Sequence, residues 1–80
     1  AMEPIITELE AGAATDADIP HEGEEFGYVL QGKIRIVVGD RSEVACAGDS
    51  FYFSSDKRHY IENEADGGSK VLWVSCPPTF

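Results

Sequence analysis

The sequence predicts an all-β fold: one small domain of antiparallel strands, closed or folded over on itself. Short runs rich in Val, Ile, Phe, Tyr and Trp alternate with joints rich in Gly, Asp and Ser along the whole chain. No stretch carries the three-to-four-residue apolar period of a surface helix. The length of 80 residues limits the chain to one domain, here taken as residues 1–80, with residues 1–3 expected to include a cloning remnant. So small a core gains from a closed sheet or from a partner subunit.

Seven strands are expected, over residues 4–9, 26–31, 33–38, 43–46, 50–53, 59–62 and 70–76. The joints between them hold Gly32, Gly39-Asp40-Arg41-Ser42, Ala47-Gly48-Asp49, residues 54–57 and residues 65–69. Gly accepts positive φ and Asp caps a turn with its own side chain, so both suit such joints. Residues 11–18 have no period and read as a loop. Side chains alternate across a strand, so Ile34, Ile36 and Val38 are expected on one face and Lys33, Arg35 and Val37 on the other. By the same parity Phe51 goes with Phe53, and Val71, Trp73 and Ser75 oppose Leu72, Val74 and Cys76. This many short strands in so short a chain point to a small antiparallel sandwich or barrel of jelly-roll type.

A hydrophobic fraction of 42% is that of a folded protein. A net charge of −9 argues against this chain gripping a phosphate backbone, which needs a basic patch. No apolar run approaches a membrane span and no signal peptide is visible, so no membrane role is expected. Cys46 and Cys76 form neither a CxxC pair nor a zinc spacing. They are expected as free thiols in or near strands, consistent with a cytoplasmic location.

The residues that carry chemistry are His21, Glu25 and His59. His21 and Glu25 share parity if their strand runs unbroken through Gly23; a bulge there would undo the argument. His59 arrives from a strand more than thirty residues later, and only a folded-over sheet brings it near. Two neutral imidazoles and one carboxylate suit Fe(II), Mn(II), Ni(II), Cu(II) or Zn(II) and leave coordination positions open. The alternative is a polar pocket without metal, in which the three groups hydrogen-bond a ligand or one another. Tyr28, Phe51 and Asn63 join His21, Glu25 and His59 as candidate ligand contacts. If His59 faces a cavity, His59→Ala is expected to weaken ligand or metal binding and leave the fold intact.

In this register the chain resembles the cupin superfamily. Reading back from Gly32, six residues separate it from Glu25 and three more separate Glu25 from His21, which is the spacing of the first cupin motif. Ile19 stands where that motif has its first histidine, and the leading glycine is absent. Gly48, His59 and Asn63 match the second motif at full spacing, with Ser54 in place of its proline and Asp56 in place of its glycine. The resemblance implies a jelly-roll barrel with His21, Glu25 and His59 at three of the family's four metal positions, for a divalent Fe, Mn, Ni or Zn ion. Ile19 cannot act as the fourth.

A narrower resemblance spans nearly the whole chain from Pro4. HEGEEFGYVLQG, AGDSFYFSSDKRHYIEN and the ending KVLWVSCPPTF are similar to the C-terminal cupin of bacterial XRE-type helix-turn-helix regulators. That resemblance implies an effector-sensing and dimerisation domain, binding a small-molecule effector and working as a homodimer, with DNA contacted only through an N-terminal domain absent from these 80 residues. Residues 4–9 are expected to offer an edge to a second copy. The reading from another class is a small stand-alone metal-dependent enzyme, a dioxygenase or isomerase using the two histidines and one glutamate. No residue is assigned a catalytic role.

Overall fold

In the computed structural model, which describes residues 3–15 and 22–76, two antiparallel sheets pack face to face. The strands are β1 (Glu3–Leu9), β2 (Glu24–Gln31), β3 (Lys33–Val38), β4 (Arg41–Cys46), β5 (Ser50–Ser54), β6 (His59–Asn63) and β7 (Ser69–Cys76). One sheet has the order β1-β7-β2-β5 and the other β4-β3-β6. The all-β jelly-roll expectation holds, and each expected strand is present within two residues of its bounds.

Gly32 is where the chain leaves the first sheet for the second. Its φ is +86°, and a Cβ there would lie 2.2 Å from Ser69 Oγ. Only glycine meets both conditions. The β3–β4 hairpin turns on Gly39 and Asp40 alone, because Val38 already pairs with Arg41. Asp49 closes the next joint by accepting the Cys46 N–H at 2.9 Å. Residues 11–18, read as a loop, contain a pairing the sequence did not reveal. Thr15 N–H donates to Ile61 O and Asn63 N–H to Ala13 O, both at 2.9 Å, so residues 13–15 lengthen the second sheet beside β6.

The core lies between the sheets: Leu9, Val29, Ile34, Ile36, Ala45, Ile61 and Val71. The expected parities are observed, since Ile34 and Ile36 are buried, Val38, Phe51, Phe53 and Trp73 pack against the core, and Val71 is fully enclosed. A fully buried Val, Leu or Ile contributes about 1.5–3 kcal/mol. The inward side of β6 differs, because it runs His59, Ile61, Asn63, polar at both ends and apolar in the middle. Cys46 and Cys76 are free and exposed. Among the described residues, no helix is long and apolar enough to cross a membrane.

Candidate functional site

Glu25 faces inward from β2, flanked across the sheet by Ser75 of β7 and Phe53 of β5. Its side chain is almost wholly removed from solvent. An ionised carboxylate in such a place needs several donors to replace water, and this one has them. Oε1 accepts from Trp73 Nε1 at 2.6 Å and from Ser75 Oγ at 2.9 Å. Oε2 accepts from Ser55 Oγ at 3.1 Å and lies 2.5 Å from His59 Nε2.

His59 comes from the opposite sheet. Its Nδ1 is 2.8 Å from Lys57 O. A carbonyl oxygen only accepts, so Nδ1 carries a hydrogen. The other ring nitrogen, Nε2, lies 2.5 Å from Glu25 Oε2, a close contact between an imidazole and a carboxylate. Glu25 and His59 thus meet as a buried inter-sheet pair, enclosed by two serines and a tryptophan.

That arrangement bears on the expected metal site. Ligand atoms around a divalent ion sit about 2.0–2.2 Å from it. His59 Nε2 and Glu25 Oε2 reach the same point from opposite sheets, and both carboxylate oxygens also accept hydrogen bonds from side chains. His21 and Ile19 lie outside the described residues. Among the described residues, no group of three or more His, Cys, Asp or Glu comes together to hold an ion.

An open cleft of about 420 Å³ lies beside the pair, between edge strand β4 of one sheet and edge strand β5 of the other. Ile36, Val38, Phe51 and Phe53 give it apolar walls, and Arg41, Glu43, Asp56 and Lys57 bring both signs of charge. Aromatic rings connect cleft and pair. The Phe53 ring stands 5.1 Å from the His59 ring, and Phe51 meets Trp73 edge-on at 5.3 Å. Anything seated against Phe51 and Phe53 therefore presses on the two rings that flank the Glu25–His59 pair.

The other expected ligand contacts divide. Phe51 lines the cleft. Tyr28 does not reach it: Gly27 and Val29 take the inward positions of β2, so Tyr28 stands on the outer face. Its parity is opposite to that of Glu25, a signal present in the sequence. Asn63 is buried at the far end of β6 with its polar atoms committed. Its Nδ2 donates to Leu9 O, Glu10 O and Gly67 O, and its Oδ1 accepts from Ala65 N–H and Ser69 Oγ. It ties β1 and the β6–β7 turn together and has no group left for a ligand. Ser55, Ser75 and Trp73, the partners of Glu25, were missed. The parity of Trp73 and Ser75 was legible, but the register that sets them against Glu25 is a long-range property.

Comparison with known proteins places this geometry. The family model described as Cupin domain (Cupin_2) matches residues 5–75. The HTH-type transcriptional regulator PuuR of Escherichia coli (strain K12) is 29% identical over 95% of this chain, which covers 41% of that protein. The chain thus spans about two fifths of the curated relatives it matches. Among solved structures, an HTH_3 family transcriptional regulator from Vibrio cholerae superposes with a TM-score of 0.86 at 18% identity, over 98% of this chain and 44% of that one. The cupin domain of an XRE family transcriptional regulator from Enterobacter cloacae gives 0.83 at 18%, over 92% of this chain and 79% of that one. A predicted oxalate decarboxylase from Thermotoga maritima gives 0.81 at 22%, over 90% and 63%. Identities this low speak to the fold alone.

Proposed function

The chain belongs to the cupin domain family and is related to the cupin domains of XRE-type regulators, and on that footing we propose that it is the effector-sensing domain of a helix-turn-helix transcriptional regulator. The observation that carries this reading is the aromatic connection between an open cleft and a buried inter-sheet pair. A ligand against Phe51 and Phe53 bears on Trp73 and His59, which contact Glu25. Binding at the cleft then biases how β5, β6 and β7 sit together, which is the differential contact an allosteric effect requires.

The lining favours a small molecule with an apolar body and charged ends of both signs. Arg41 and Lys57 suit a carboxylate; Glu43 and Asp56 suit an amine. Glu25 itself is not a ligand contact in this reading, because that carboxylate is buried and engaged. DNA contact belongs to a separate domain of the longer protein. The reading needs no metal ion; an ion on His21, Glu25 and His59 is a separate proposal, tested by metal content.

The experiment is calorimetric titration of the chain with amino acids, diamines and small dicarboxylates, repeated on Phe51→Ala and Lys57→Glu. Mass spectrometry of the same mixtures detects turnover. Binding that weakens in both variants, with the ligand recovered unchanged, supports the sensor. Conversion of a ligand, together with stoichiometric metal in the wild type that is lost in His59→Ala, replaces it with the metal-dependent enzyme.

A further inference from the structure

Edge strand β4 carries its charge on the inward side. In the β3–β4 ladder, Ile34 stands opposite Ala45, Ile36 opposite Glu43 and Val38 opposite Arg41. Residues directly opposite share a face of the sheet, and Ile34 and Ile36 belong to the core. Ala45 is buried with them, but Glu43 and Arg41, turned the same way, stay exposed and line the cleft. The outward position between Glu43 and Ala45 is Val44, 41% exposed. A strand with one solvated face carries its polar residues outward; here the apolar residue faces out and the charges face in. Arg41 and Glu43 are opposite in sign and about 7 Å apart along the strand. Among the described residues, neither side chain makes an ion pair or a hydrogen bond. Lys57 stands at the Arg41 end, its stem over the hairpin turn, where a Cβ on Gly39 would come 3.0 Å from Lys57 Cδ. Across the cleft, the Phe51 and Phe53 rings lie 6.3 Å apart with planes within 9° of each other, one continuous apolar wall.

We infer that Arg41 and Glu43 read the two charges of an α-amino acid with an apolar side chain. Arg41, with Lys57 beside it, takes the carboxylate; Glu43 takes the ammonium; the side chain lies on Phe51 and Phe53. The inference deepens the sensor proposal and rests on it. The signs select the class. A diamine would set an ammonium against Arg41, and a dicarboxylate would set a carboxylate against Glu43, and like charges held together are costly. The spacing selects it too, because successive inward positions of one strand suit charges carried on one α-carbon rather than at the ends of a long chain. A guanidinium matches a carboxylate with two parallel hydrogen bonds. The cleft, about 420 Å³, is at the small end of ligand sites and has room for one amino acid. Inward charges on an edge strand also discourage pairing with another sheet, but one sign would do that without an aromatic wall opposite.

Calorimetric titration of the chain with leucine, methionine and phenylalanine tests this, beside 1,6-diaminohexane and succinate. At least one of the amino acids is expected to bind. Its amide, which lacks the carboxylate, and its N-acetyl derivative, which lacks the ammonium, should each bind about tenfold or more weaker. Arg41→Gln should weaken the amino acid about tenfold and leave the amide unmoved. Glu43→Gln should weaken the amino acid and the amide alike and leave the N-acetyl derivative unmoved. Glu62→Gln removes a charge from the outer face of the same sheet and is the control without effect. Circular dichroism confirms the fold of each variant; Arg41 and Glu43 are exposed, so folding is expected to survive. An amide that binds as tightly as its amino acid, or an affinity that neither Arg41→Gln nor Glu43→Gln changes, overturns the inference and leaves the two charges as guards of the edge. Binding of 1,6-diaminohexane or succinate in place of the amino acids, weakened by Phe51→Ala, overturns it and leaves the sensor proposal standing. No binding by any of these probes overturns both.

Discussion

Glu25 Oε2 and His59 Nε2 approach to 2.5 Å across the space between the two sheets, one from β2 and the other from the first residue of β6. Both side chains are 1% exposed. Removing either member strands the other. Glu25→Ala would leave the Trp73, Ser55 and Ser75 donors without their shared acceptor, and His59→Ala would remove the carboxylate's link to the second sheet. Each is expected to lower unfolding free energy by about 3–5 kcal/mol. The double variant should lose less than the sum by more than about 1 kcal/mol, because the two are one unit. Urea titration of the four proteins measures the cycle; additive losses would show that the pair is not coupled. For His59→Ala this differs from the sequence-based expectation of an intact fold, because the ring is buried against Glu25.

Asn63 closes the other end of β6. Its amide donates to carbonyls of Leu9, Glu10 and Gly67 and accepts from Ser69 Oγ, so it joins β6 to β1 and β7. Asn63→Ala should cost about 1–3 kcal/mol for the groups left unpaired. Asn63→Asp should cost more, although it is closer in shape. The substitution replaces a donor with an oxygen aimed at carbonyl oxygens, in a place where an unpaired charge is strongly opposed. Thermal melts at neutral pH should rank wild type, Ala and Asp in that order. An Asp variant more stable than the Ala variant would show that the donor contacts matter little.

The local parts of this architecture were legible in the sequence. The alternation Ile34, Ile36, Val38 and the flanking Gly32 and Gly39 specify β3 to the residue, because strand parity and turn chemistry are properties of neighbours in the chain. The spacing that ties Glu25 to Gly32, and Gly48 to His59 and Asn63, was enough to indicate the family. The register was not legible. That Ser75, Trp73 and Ser55 would converge on Glu25, or that residues 13–15 would run beside β6, depends on pairings between segments far apart in the chain. Asn63 shows the same limit from the other side: its match to a motif position was visible, but its five hydrogen bonds were not.

Tyr52 offers a titration test on the outer face. Its hydroxyl donates to Glu24 Oε2 at 2.6 Å. That hydrogen bond first, and the carboxylate's charge second, raise the phenol above its ordinary value of 10.0. A phenol with a raised folded-state pKa stabilises the fold fully below the unfolded value, and that contribution is lost as pH rises through the folded value. The effect is confined to the alkaline range and is small at so exposed a site. Ultraviolet titration of the phenolate should show Tyr52 ionising later than a free tyrosine, and Glu24→Gln should bring it back down. A midpoint unmoved by Glu24→Gln would mean the hydrogen bond is absent in solution.

Gly27 controls the shape of the cleft. It faces inward on β2 between Trp73 and Phe51, and a Cβ placed on it would fall 2.0 Å from the tip of the Phe51 ring. Its φ is not among the positive values, so the backbone tolerates alanine and the conflict is one of space alone. The ring can yield by swinging toward the cleft that it lines, losing its edge contact with Trp73. Gly27→Ala is therefore expected to cost about 1–3 kcal/mol by overpacking, and to reduce the affinity of any ligand seated on Phe51. In Phe51→Leu the added methyl has less to displace, so Gly27→Ala should cost less in that background, a coupling readable in a double-mutant cycle. Equal costs in the two backgrounds would show that Phe51 does not rest on Gly27, and that the cleft wall is set by something else.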